Sequence, residues 1–318
     1  MNRHVKLIGT FTTRSPLSHI GETISTGSYL VQEPILQPDG SIEEVFCYSG
    51  NAWRGQLRDL SATYMLTQLK TAVPLEAFHL LYSGGRIGGE QKVDIGAARA
   101  MRSAIPHVSL FGGGVGNQIL PGKLRVSNAY PICAEAMPAL PESVHERAVS
   151  VSYRGLTFEK EFSRKDDAKD ERLTPYVTTV ETLLLEGTQE AKREGPADQM
   201  RMRAELLIAG VSLWTEIECL AVSDVELGCL AAALHEFAKS PHIGGQANKG
   251  HGMVSLRYQM LDMDTGEIVD FLKVDGEVAK LGHVAQEAKE AYDGHLRALY
   301  DRMLESKGGE IKALLGAA

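Results

Sequence analysis

The chain has 318 residues, of which 43% are apolar and 23% charged, a globular balance that excludes disorder as a global description. Its formal net charge of −8 argues against a wholly basic nucleic-acid binder but leaves room for one basic groove on an acidic body. No run approaches the roughly 18 apolar residues of a membrane span, and the opening MNRHVKLIGTF is too poor in apolar residues for a signal peptide.

Cys47, Cys133, Cys219 and Cys229 are far apart, with neither CxxC nor HExxH nearby, so no metal site is expected. Spread cysteines fit a reducing cytoplasm, where each acts as a small buried hydrophobe. Charge is uneven along the chain. Residues 86–125 hold Arg86, Lys92, Arg99, Arg102, Lys123 and Arg125 against only Glu90 and Asp94, whereas residues 261–318 are net acidic.

In chain order, VKLIGTF alternates with Val5, Leu7 and Phe11 on one side and reads as a strand. A polar segment leads to a second strand from Ile42 to Tyr48. In the following helix, Trp53, Leu57, Leu60 and Tyr64 share one face, and Ser49 or Asn51 is placed to cap its start. Residues 72–106 mix short helical pieces with glycine pairs and read as an insertion. The GGGVGN turn then runs into a strand around Lys123 to Ser127.

Residues 159–172 carry 11 charged residues of 14 and read as a solvated excursion. MRAELLIAGVSLWTEIECL reads as one long strand bent at Gly210. Ser223 and Glu226 form a capping-box pair ahead of a helix with Leu227, Leu230, Leu234 and Phe237 on its apolar stripe, and Pro241 ends it. The loop IGGQANKGHG precedes an alternating strand from Val254 to Met260. A tail helix from Leu281 packs through Leu296, Leu299, Met303 and Leu304. This order, with an antiparallel sheet, predicts an α+β ferredoxin-like domain.

Two constellations suit phosphate chemistry. In SGNAWRGQLRD, Arg54 and Arg58 share a helix face near an N-terminus, where free N–H groups and two guanidinium groups suit an anion. The same spacing also suits Arg58 paired with Asp59 or another carboxylate. In IGGQANKGHG, four glycines around Lys249 form either a nest for a backbone phosphate or a helix cap followed by a tight turn. That loop is neither a Walker A loop nor GxGxxG. Ser18, His19 and Glu22 invite a hydrolase reading, but neighbours in sequence do not make a triad.

SHIGE after the first strand, GNAWRGQLRD opening the first helix, LFGGGVGNQILPGKLRVSNAY in mid-chain and IGGQANKGHGMV before a late strand together resemble the RAMP superfamily. Within it they resemble the Cas-seven group, the backbone subunits of CRISPR effector complexes, with the type IV subunit most similar. The resemblance spans about residues 1–260. It implies an RRM-like palm from 1–59, 107–152 and 205–262, a helical fingers insertion at 60–106, a thumb at 153–204 and a C-terminal helical segment at 263–318.

The resemblance also implies partners: a CRISPR guide RNA, a complementary target nucleic acid with DNA favoured, further copies of the chain stacked head to tail, and other effector subunits. No membrane and no cofactor are implied. It carries Ser18, His19, Asn51, Trp53, Arg54, Arg58, Gly244, Gly245, Gln246, Asn248, Lys249 and His251 onto guide contacts. Arg86, Lys92, Arg102, Lys123 and Arg125 join them on charge and position. Related type III subunits cut RNA with an aspartate in the loop after the first strand. Residues 12–28 here contain only Glu22 as an acid, so a binding subunit without nuclease activity is expected. The alternatives are a guide-processing endoribonuclease of the same superfamily with His19 as general base, and a nucleotide-binding metabolic enzyme.

Overall fold

The computed structural model describes residues 2–85, 95–115, 117–164, 200–276 and 278–305. The strands are β1 Arg3–Thr13, β2 Ile20–Ile24, β3 Gly27–Leu30, β4 Gln32–Leu36, β5 Ile42–Phe46, β6 Gly113–Val115, β7 Gln118–Leu120, β8 Leu124–Val126, β9 Tyr130–Pro131, β10 Thr157–Arg164, β11 Met200–Leu207, β12 Ser212–Val222, β13 Val254–Asp262, β14 Ile268–Asp275 and β15 Val278–Leu281. The helices are α1 Gly50–Leu69, α2 Leu75–Phe78, α3 Ile95–Ala104, α4 Pro106–Phe111, α5 His145–Ala148, α6 Asp224–Phe237 and α7 His283–Glu305.

Alternation in β1 sends Val5, Leu7 and Phe11 into the core and leaves Lys6, Ile8, Thr10 and Thr12 on the other face. β1 is the centre of the main sheet and pairs antiparallel with β12 and β13. Leu7 stands opposite Ile217 and Met260, and Phe11 opposite Leu213 and Leu256. The sheet order is β15-β14-β13-β1-β12-β8, with β9 also on β12. The inner unit runs β1-α1-β8-β12-α6-β13, and its fourth strand lies beside the first, then the third, then the second. The expected α+β class with an antiparallel sheet is thus present.

In α1, Trp53 and Leu57 are buried and Leu60 and Tyr64 pack at the core margin, as the helical spacing predicts. The capping box at Ser223 and Glu226 forms as expected, and Leu227, Leu230, Leu234 and Phe237 are all buried. In α7, Leu296, Leu299 and Met303 are buried, whereas Leu304 is exposed, contrary to the predicted stripe. All four cysteines are free and buried, which pushes their thiols up, those of Cys47 and Cys219 to about 12 and those of Cys133 and Cys229 to about 11.

Three expectations need correction. The segment around Gly210 is two strands in two sheets. A left-handed turn at Gly210 (φ 90°) separates β12 from β11, which joins the smaller sheet β10-β11-β3-β2. The region 263–318 is not simply helical, because β14 and β15 extend the main sheet before α7 begins. The fingers boundary at residue 60 falls inside α1, which continues unbroken to Leu69. Most of the excursion expected as a thumb, residues 165–199, lies outside the described residues.

His107 sits in the core beneath α1. Its ring nitrogens meet Ser61 Oγ and the Leu81 carbonyl, each at 2.9 Å. Burial, with a smaller contribution from Arg58, pushes its pKa down to about 3 from the ordinary 6.5. The unfolded chain takes up a proton below 6.5 that the native chain refuses until about 3. Stability therefore falls on acidification through that window, by up to about tenfold in the folding equilibrium per pH unit. A His107→Gln chain should show a flatter curve of melting temperature against pH between 6.5 and 4. Parallel curves for the two chains would refute the assignment.

Candidate nucleic-acid interface

After β1 the chain is stitched on both sides. Gly252 N donates to the Pro16 carbonyl at 2.8 Å, Leu17 pairs with Leu207 of β11, and Gly245 N donates to the Ser18 carbonyl at 2.7 Å. The next residue, His19, accepts a hydrogen bond at Nε2 from Ser49 N (3.3 Å), at the entrance to α1. Residues 15–19 thus join the glycine loop to the start of the first helix. Three segments, at residues 15–19, 49–51 and 244–252, become one surface.

The loop is glycine-rich for a backbone reason. Gly244, Gly250 and Gly252 have φ of 71°, 83° and 84°, and Gln246 joins them at 61°. The exposed Lys249 projects its ammonium over the Phe162 ring of β10, 4.6 Å from the centroid, and so ties the loop to the root of the charged excursion. Asn248 is exposed.

Three side-chain atoms here are buried without a hydrogen-bond partner among the described residues: Ser18 Oγ, Gln246 Oε1 and His251 Nδ1. Ser18 and His251 are only 1% and 5% exposed. Unsatisfied buried polar atoms are uncommon enough to need a reason, and a bound polar ligand supplies one. Burial, then the neighbouring Lys160 and Lys249, lowers the pKa of His251, so its imidazole is neutral at pH 7.

At the start of α1, Ser49 occupies the cap position without a side-chain cap bond. Instead Asn128 Oδ1, from the loop after β8, accepts from Gly50 N at 2.9 Å. Gly50 is required there because a Cβ would lie 2.4 Å from the Val126 carbonyl. Asn51 is exposed in the first turn. Burial lowers the pKa of His19, so it is neutral too. Its Nε2 lone pair already accepts from Ser49, which leaves the ring proton on Nδ1.

Several expected contacts are corrected by their surroundings. Trp53 is 1% exposed, and its Nε1 donates to Tyr258 Oη at 3.1 Å, so it is a core residue. Arg58 is 6% exposed, and its guanidinium donates to the carbonyls of Leu80, Phe111 and Gly112. Half-buried Arg54 also donates to the Phe111 carbonyl. Both arginines thus close the C-terminal end of α4, where carbonyls without intrahelical partners attract cations. Lys123 pairs with Glu226 at 2.7 Å and anchors the start of α6.

Arg125 lies on the outer face of the main sheet, 3.3 Å from Glu218. Arg102 is in α3, which packs on α4. Arg86 and Lys92 lie outside the described residues. The structure therefore gathers Ser18, His19, Asn51, Gly244, Gly245, Gln246, Asn248, Lys249 and His251. Sequence reasoning missed Asn128, which accepts from the Gly50 N–H of α1 across 78 residues of chain, and the ring of Phe162 beneath the Lys249 ammonium.

Among the described residues no group of His, Cys, Asp or Glu side chains could hold a metal ion, and no helix is long and apolar enough to cross a membrane. No family model matches the chain, and no curated protein is significantly similar to it. Its fold is similar to that of a chain in a solved structure described as a "Type IV-B CRISPR Complex". The two are 20% identical with a TM-score of 0.55, over 80% of this chain and 90% of the other.

Proposed function

We propose that the chain is a non-catalytic RNA-binding subunit of a CRISPR effector complex, of the Cas-seven kind within the RAMP superfamily. In this reading the β1-α1-β8-β12-α6-β13 unit is the RRM-like palm. It holds the guide backbone along Ser18, the start of α1 and the glycine loop, with the fingers and thumb flanking it. Copies stack head to tail along the guide in the cytoplasm, a heterologous contact that does not close and so gives a helical filament. Bases left exposed pair with a complementary target, DNA being favoured, while the protein reads backbone and shape.

The observation that carries this reading is the convergence of the SHIGE, GNAWRG and glycine-loop motifs at Ser18–Gly245 and His19–Ser49. The fold likeness to a type IV-B complex chain supports it. A binding role is favoured over cleavage because the free-base nitrogen of His19 is engaged by a backbone N–H, and because Glu22, the one acid of the loop after β1, is exposed on β2.

The test is the particle mass and the 260/280 nm absorbance ratio of the recombinant protein after size exclusion, before and after ribonuclease. A large RNA-containing particle that ribonuclease shrinks is the expected result. A nucleic-acid-free monomer that takes up no single-stranded RNA at low salt would overturn the proposal. In the same assay Lys249→Ala should weaken binding without sequence preference and reduce the salt slope by about 0.7. Site-specific cleavage of repeat RNA, lost in His19→Ala, would favour the endoribonuclease instead.

A further inference from the structure

Directly opposed residues of antiparallel strands share a face. Across the main sheet the register aligns Tyr130, Trp214, Thr10, Arg257, Lys273 and Lys280, one residue from each of six neighbouring strands. At the usual strand spacing this row is roughly 24 Å long. It lies on the outer face, because the residues flanking Thr10 in β1, Gly9 and Phe11, belong to the opposite, core-facing set. The row is sorted by chemistry: half-buried aromatic rings at one end, a hydroxyl in the middle and three exposed cations at the other end.

The surrounding charges are already matched. Lys6 pairs with Glu216, Arg125 and His4 with Glu218, and Arg14 with Asp275. Arg257 contacts Asp270 only as an exposed pair, at 3.2 Å. Lys273 and Lys280 have no ion pair within 4 Å among the described residues, though Lys280, after Arg257 and Gln259, helps to lower the pKa of Asp270. The middle of the row opens into a pocket of about 100 Å³ lined by Thr10, Thr12, Ser255, Arg257 and Lys273 together with Asp275, whose carboxylate is already paired with Arg14. Hydroxyl donors and cations around one depression suit a phosphate oxygen. Trp214 Nε1 donates to Glu216 Oε1 at 3.1 Å, which fixes the indole on the sheet.

We infer that the outer face of the main sheet is a second surface for single-stranded nucleic acid, distinct from the glycine loop. A base stacks on Trp214, and phosphates follow Arg257, Lys273 and Lys280. An aromatic platform beside a line of cations is how proteins hold single strands without reading sequence. No aliphatic side chain stands in the row, so it lacks the apolar centre of a protein interface.

The two tryptophans separate the outcomes spectroscopically. Trp53 is shielded in the core, so quenching of indole fluorescence by a uridine or deoxythymidine homo-oligomer reports Trp214. Quenching is expected in the full-length protein and in its Lys249→Ala variant, and should be lost in Trp214→Phe. Lys273→Glu with Lys280→Glu, both exposed and so compatible with folding, should lower affinity at least about tenfold and flatten the salt slope. Oligomer binding that neither quenches Trp214 nor responds to the two glutamates would overturn the inference and leave the glycine-loop reading intact. A lysine variant that changes only the self-association of the chain would also overturn it, by assigning the face to protein.

Discussion

Replacing Arg58 with alanine lowers the melting temperature by several degrees, with a loss of about 3 kcal/mol of folding stability. The guanidinium is enclosed beneath α1, where burial and the neighbouring Arg54 push its pKa down to about 10. Its amino groups satisfy the carbonyls of Leu80, Phe111 and Gly112, and its Cζ lies 5.6 Å from the Phe111 ring centroid. Alanine removes these donors, leaves the Phe111 carbonyl with its Arg54 bond alone and opens a cavity beside Phe111. Arg58→Met fills part of the cavity but restores no donor, so it should recover only a fraction of the loss. RNA affinity per folded molecule should change far less than for Lys249→Ala. The opposite pattern, normal melting with lost RNA binding, would return Arg58 to the phosphate-binding set.

The arginine pair shows where sequence reasoning ran out. Arg54 and Arg58 stand four apart near a helix N-terminus, which is the local pattern of an anion site. Their shared partner is the Phe111 carbonyl at the end of α4, more than fifty residues away, and no local pattern announces it. Trp53 shows a conflict within the sequence itself. Its spacing with Leu57 already put it on the buried face of α1, while the family motif carried it to RNA. Burial decides for the core.

Elements with an unbroken period were legible. The alternation of β1, the stripe of α6 and its capping box are local and appear as expected. β14 was not, because a bulge opposite Tyr258 and Gln259 buries Phe271 and Leu272 in succession and hides the alternation. β2 is exposed along its whole length, so it carries no two-sided pattern. At the site, the motifs were visible but their meeting was not. It depends on residues 15–19 bridging β11, the glycine loop and α1, a long-range arrangement that composition cannot encode.

That bridge predicts opposite behaviour for two adjacent glycines. A Cβ on Gly244 would lie 2.2 Å from the Ser18 carbonyl and 2.9 Å from a Leu17 methyl, on a residue with φ of 71°. Gly244→Ala therefore strains the backbone and pushes the loop off Ser18, breaking the Gly245–Ser18 bond. A Cβ on Gly245 would meet only that carbonyl, at 3.9 Å, and its φ is not left-handed. If the loop works by its geometry against Ser18 as proposed, Gly244→Ala loses at least about tenfold in RNA affinity, since Lys249 and the buried Ser18 and His251 atoms no longer converge. Gly245→Ala should bind like the parent. Both chains should remain folded by circular dichroism, because the loop lies outside the main sheet and its helices. Equal loss in both variants would mean that the ligand approaches the bare backbone at Gly245 itself, and equal retention would mean that RNA is held elsewhere.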